Sequence, residues 1–296
     1  MRRTLIGLLL ALALSPAAAE TAKSLDKVPG LLKTPEAKDK FAQQMDGKPA
    51  SDGLGLQLPA GLEASAISAL LLPPGTAEPL NAAGAKPLPG RTDIYVAIAC
   101  TGGDVPTSPN DTKCSQFQNH DAKPELRAYL GVIEIKASTA PRLVAKPVMV
   151  SGPVDWDVAP WLHGPDEDRS PDSFDRFDLA AYQISPTQRA FGLRGAWTEG
   201  YSGGMKAYSA LYLFAVVDGA LTQVLSTPMS YYSDIAGDWH KDGTREHDID
   251  EGAGILIVSK HSTSDHFDLT LENRTGKESQ LLQWSAAPGR YAFVKK

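Results

Sequence analysis

The sequence predicts a mainly β chain of antiparallel meander units, a sandwich or a partial propeller, with a short helical segment at its N-terminal end. Three observations carry this. From Asp93 onward, short runs of aliphatic, β-branched and aromatic residues recur, nearly all separated by Gly, Pro or Asp. No helix-length periodic stretch intervenes, which excludes the alternating strand–helix plan of a parallel sheet. The 22 prolines and 26 glycines supply turns for many short connections.

Residues 1–19 read as a cleaved secretory signal. Met1-Arg2-Arg3 is a positive n-region, Leu5 to Leu14 an apolar h-region, and Ala17-Ala18-Ala19 a small-residue cleavage site before Glu20. The apolar run is too short to cross a bilayer, and no second run reaches the ~18 residues of a spanning helix. No cysteine follows the h-region, so lipid attachment there is excluded. The expected product is a soluble periplasmic or secreted chain with no integral membrane segment.

Residues 20–92 form a leader. Thr34-Pro35-Glu36 is an N-cap, a proline at the first helical position and an acid in the first turn, so a helix is expected over 35–46. A second is expected from Glu63 to Leu72, stopped by Pro73-Pro74. The remainder of 48–92, rich in Ala, Gly, Pro and Leu, reads as a linker.

Residues 93–296 form the β domain. Strands are expected at Ile94 to Ala99, Tyr129 to Ile135, Leu143 to Val150, Ala190 to Arg194, Leu211 to Val217 and Leu221 to Leu225. A C-terminal meander follows at Ile255 to Lys260, Phe267 to Leu271, Gln280 to Trp284 and Arg290 to Val294. The units 93–160 and 188–240 echo each other. Each has a Tyr-centred strand, a Leu-led strand, a proline and a closing Asp-Trp, and Tyr129 to Tyr212 is the same offset as Trp156 to Trp239.

Cys100 and Cys114 bracket thirteen residues of almost pure turn chemistry. In an oxidising compartment a disulfide closing that loop is the natural reading. Free thiols or a metal site are the alternatives, and only His120 lies near enough to help a metal. A net charge of −6, without basic clusters, argues against nucleic acid or anionic membrane as a partner.

Candidate chemistry falls in several places. Gly200-Tyr201-Ser202-Gly203-Gly204 fits the G-x-S-x-G nucleophile elbow, with Asp234 or Asp238 and His240 or His247 following in the order Ser…Asp…His. The preceding Gly195 to Glu199 is no buried parallel strand, so a Gly-rich hairpin loop is the simpler reading. Asp238 to Glu251 reads as a charged loop, and Asp238, Asp242 and His247 there are candidate ligands for Ca²⁺ or Zn²⁺. Lys241 and Arg245 oppose that, and no cofactor is otherwise implied. The acidic stretch Asp166 to Asp178 reads as a solvated loop anchored by Phe174 and Phe177. His261 and His266 flank an expected hairpin tip. Trp239, Tyr201 and Tyr232 are candidate binding residues of a loop face.

Without a complete catalytic constellation, the leading reading is a non-catalytic binding or inhibitor-type module of a Gram-negative-type envelope, acting on a protein or glycan. A serine hydrolase using Ser202 and a Ca²⁺-stabilised structural protein are the alternatives. Intact-mass measurement of protein from the envelope fraction should give a chain beginning at or near Glu20; retention of residues 1–19 on the soluble product would contradict the export reading.

Overall fold

The computed structural model describes residues 19–48, 50–104, 114–116, 125–136, 139–167 and 169–294. It is mainly β, with 51% of the described residues in strands and 10% in helix. Strand β1 (Glu20–Ala22) leads through a 3-10 turn at Leu25–Gly30 to helix α1 (Pro35–Met45) and helix α2 (Ala64–Leu71). Next come β2 (Leu80–Pro87), β3 (Ile94–Thr101), β4 (Arg127–Glu134), β5 (Arg142–Leu143) and β6 (Val148–Met149). The long strands follow as β7 (Ser173–Gln183), β8 (Arg189–Tyr201), β9 (Gly204–Val217), β10 (Ala220–Trp239) and β11 (Arg245–Thr263). The chain closes with β12 (His266–Asn273), β13 (Ser279–Ser285) and β14 (Arg290–Phe293).

Two sheets result. The larger is an unbroken meander in which each of β7 to β14 pairs with its sequence neighbours, and β1 adds to β11. The smaller runs β2-β3-β4-β5, with β6 also on β4. Alternation along β3 and β4 decides the layering. Val96, Ile98, Leu130 and Val132 face the large sheet, in one core with Phe177, Leu193 and Tyr212. Ala97, Ala99, Tyr129 and Ile133 face Ile67 and Leu71 of α2. The architecture is therefore a sandwich with one helix on its outer face. At Gly131 of β4 an added Cβ would lie 2.2 Å from the Leu71 Cδ2, so a larger residue there would have to displace that side chain of α2.

Both helices form at the expected places. The Thr34 hydroxyl accepts from the Ala37 N–H, and Ala37 and Phe41 are the buried positions of α1. The segment 48–92 is not a linker, since β2 lies within it. The 92/93 boundary falls inside the β2–β3 hairpin, in which Leu80 to Pro87 pair with Thr101 to Tyr95. The acidic stretch 166–178 is likewise part strand: Phe174 and Phe177 of β7 are buried, and Asp178 binds Arg194 of β8 at 2.6 Å. The expected loop 238–251 is the end of β10, a turn, and the start of β11. Leu143 to Val150 is split into β5 and β6, with Pro147 between them.

The two Tyr/Trp units do not occupy equivalent places. Tyr129 faces α2 whereas Tyr212 faces the core between the sheets. Trp156 packs edge-on against Trp197 and Tyr208, while Trp239 is 69% exposed. Cys100 and Cys114 stand at disulfide distance, with Cα atoms 5.5 Å apart. Residues 105–113 between them, and His120, lie outside the described residues.

Replacing Gly131 by alanine should destabilise the protein by ~1–3 kcal/mol in urea unfolding, because the new methyl overlaps Leu71. A loss below about 0.5 kcal/mol would show that α2 is free to shift away from β4.

Candidate functional site: a groove under the N-terminal strap

Residues 20–46 cross one face of the large sheet as a strap. Ala22, Val28, Leu32, Ala37 and Phe41 pack on Met205 and Ala207 of β9, Tyr232 of β10 and Ile249 of β11, in a cluster separate from the sandwich core. Strand β1 hydrogen-bonds to the edge of β11, with Glu20 opposite Ile249 and Ala22 opposite His247. The Glu251 carboxylate closes the latch. It accepts from the Thr34 N–H at 2.9 Å, from the Thr34 hydroxyl and from the Lys33 N–H. A carboxylate against free N–H groups at a helix start is favoured by both hydrogen bonding and the helix dipole.

Beneath the strap, His247 Nδ1 lies 2.7 Å from Asp234 Oδ1. A carboxylate partner fixes the proton on Nδ1 and leaves Nε2 as the free nitrogen. Tyr232 donates to the other Asp234 oxygen at 3.4 Å. Burial, and then the charge of Asp234, hold the Tyr232 hydroxyl above its usual range, so it stays a donor.

His247 forms part of one wall of a groove of about 590 Å³ between the strap and the β10–β11 turn. Leu25, Pro29, Phe41 and Met45 supply its apolar surface, Asp26 and Asp46 add acids from the strap, and Gly243, Thr244 and Arg245 continue the opposite wall. Met45 is 47% exposed. The Arg245 Nε donates to the Gly237 carbonyl at 3.0 Å, and its guanidinium lies 5.3 Å from the centre of the exposed Trp239 ring.

Of the sequence candidates, His247 lines this groove, and Trp239 stands beside it against Arg245. Ser202 is near it but not in an elbow. Ser202 and Gly203 form the two-residue turn of the β8–β9 hairpin, in which Tyr201 pairs with Gly204. Gly203 has φ 94°, and a Cβ there would lie 2.5 Å from Arg245 Nη1, so the pattern's glycine serves a turn and a close approach. Among the described residues the Ser202 hydroxyl has no hydrogen-bonded histidine; His247 is held by Asp234, and His240 faces Glu246 at 3.4 Å.

The proposed metal ligands do not assemble. Among the described residues no group of three or more His, Cys, Asp or Glu side chains is placed to hold an ion. Asp238 is exposed. Asp242 accepts from the N–H and hydroxyl of Thr244, hydrogen bonds that close the turn and hold its carboxyl below the usual range.

The binding aromatics do not converge either. Tyr232 is only 2% exposed and lies under the strap, which removes it as a binding residue. Tyr201 is exposed but takes part in a separate network, donating to Glu199 at 2.9 Å beneath the Lys206 ammonium. Glu199 also accepts from Tyr208 and from the Asp166 N–H, pinning residues near 166 to the sheet. His261 binds Asp268 and His266 stacks on Trp284, so the two histidines face different partners.

Sequence reasoning placed Glu251 and Arg245 only in a charged loop and did not find the packing of the strap's apolar residues on the sheet. The cap pattern at Thr34 was legible, but its carboxylate partner lies far away in the chain. The sequence matches no family model, no curated protein and no solved structure.

Ser202 should not react with a fluorophosphonate probe. Stoichiometric labelling that disappears in Ser202→Ala would establish a nucleophile and contradict the hairpin reading.

Proposed function

We propose that this chain is an exported, non-catalytic binding module that holds a protein ligand of a Gram-negative-type envelope in the groove under its strap. The observation that carries the reading is the composition of the groove: an apolar surface with both signs of charge around it and an exposed Met45 and Trp239 at hand. Methionine adapts to irregular apolar partners, and Trp and Arg are the side chains that most often anchor protein contacts. Leu25, Pro29, Phe41 and Met45 suit inserted apolar side chains better than a sugar, whose hydroxyls would need paired polar groups here.

Export is supported by the n-region, h-region and cleavage pattern, and by the two cysteines at disulfide distance. No helix among the described residues is long and apolar enough to cross a membrane. Among the described residues neither a histidine partner for Ser202 nor an assembled set of oxygen ligands is present to support the hydrolase and Ca²⁺ readings.

Photo-crosslinking in the envelope tests the proposal, with the reactive residue at Met45 and, as a control, at the exposed Glu272. Protein adducts specific to position 45, and reduced several-fold by Trp239→Ala, are expected. No protein adduct, or the same adducts from both positions, would contradict it.

A further inference from the structure

A second cavity, of about 340 Å³, opens between the two sheets and shares no lining residue with the groove. Ala128 of β4 lines it from the small sheet, and Phe174, Trp197 and Tyr212 line it from the large one. Its mouth is open to solvent, where the exposed Ser151, Gly152, Pro153 and Ser170 line it. A dry cavity of ~150 Å³ accepts benzene, so this one has room for about two fused rings.

Its polar groups are unevenly satisfied. The Trp197 Nε1–H donates to the Arg169 carbonyl at 2.9 Å. The Arg169 guanidinium is held by the fully buried Asp172 carboxylate and by the Thr198 carbonyl, so its charge is balanced within the wall. Among the described residues that line it, an anion would find no free cation, and a bare cation would gain nothing to offset its desolvation. Tyr212 is the exception. It is 1% exposed, and among the described residues its hydroxyl has no hydrogen-bond partner. Tyr212 lines the cavity, so its hydroxyl is available to pair with a molecule held there.

We propose that this cavity binds a small, uncharged, bicyclic aromatic molecule whose oxygen shares a hydrogen bond with the Tyr212 hydroxyl. The rings of Phe174, Trp197 and Tyr212 supply the apolar wall, and the Tyr212 hydroxyl supplies a directional contact. Size sets the two-ring limit, and the neutralised Arg169 selects against charge.

Binding of 2-naphthol and of naphthalene to the mature protein, followed by quenching of tryptophan fluorescence and by melting temperature, tests this. Both should quench saturably and raise the melting temperature, as any ligand of the native state must. Tyr212→Phe keeps the ring and removes only the hydroxyl. It should weaken 2-naphthol about five- to tenfold, the loss expected for one hydrogen bond, and leave naphthalene unchanged. Ala128→Leu, which fills the space, should abolish both, whereas Trp239→Ala at the groove should affect neither. No saturable binding to the unaltered protein, or equal 2-naphthol affinity in Tyr212→Phe, would overturn the proposal.

Discussion

Strand β11 serves three partners along one backbone, and the rest of the large sheet is arranged around that. Residues from Arg245 to Ala253 pair with β10, while Ile249 to His247 offer the other edge to β1. From Gly254 onward that edge passes to β12, whose Asn273 stands opposite Gly254. Strand β1 and strand β12 thus lie end to end along one side of β11. Because strand side chains alternate, this register puts His247, Ile249 and Glu251 under the strap and leaves Asp248 and Asp250 on the other face. A slip of one residue would exchange the two sets and bury those acids under α1. Gly252 adds a steric constraint, since a Cβ there would lie 2.6 Å from both the Trp161 carbonyl oxygen and the Tyr231 ring.

The strap depends on that register more than the sandwich does. Its apolar contacts form a small cluster of their own, while the core between the sheets draws on the small sheet and on β7 to β14. Its backbone pairing is only three residues long. Glu251 therefore matters out of proportion to its size, because it ties the start of α1 to the strand that also carries His247. Segments with few contacts and short ladders open at lower free energy than core strands, and ligand sites are drawn from that end of the range. The groove lies where the weakly held strap meets the long β10–β11 hairpin.

Much of the fold was legible in the sequence. The cap and proline at 34–35 announced α1, and the alternating runs after Ile255 announced the C-terminal meander. Strand β2 was hidden because Asn81-Ala82-Ala83-Gly84-Ala85 has little strand propensity. Close packing explains the small residues: a Cβ on Gly84 would lie 2.4 Å from the Leu54 carbonyl oxygen. Strand β7 was hidden by its acids, whose partners, such as Arg194 for Asp178, come from the next strand. In the β10–β11 hairpin the clustered charges masked a period of two. The site was least legible, because its deciding contact joins Thr34 to Glu251 across 217 residues. Local pattern carries no signal for that pairing.

Amide hydrogen exchange on the mature protein, comparing the native chain with Glu251→Ala, tests most directly whether this latch holds the strap and with it the groove. Protection should fall across residues 20–46 and stay unchanged in β8, β9 and the first half of β10. Unchanged protection over 20–46 would mean that the strap is held by other contacts. A loss spread through β8 to β10 would mean that strap and sandwich unfold as one unit, contradicting the separation drawn between them.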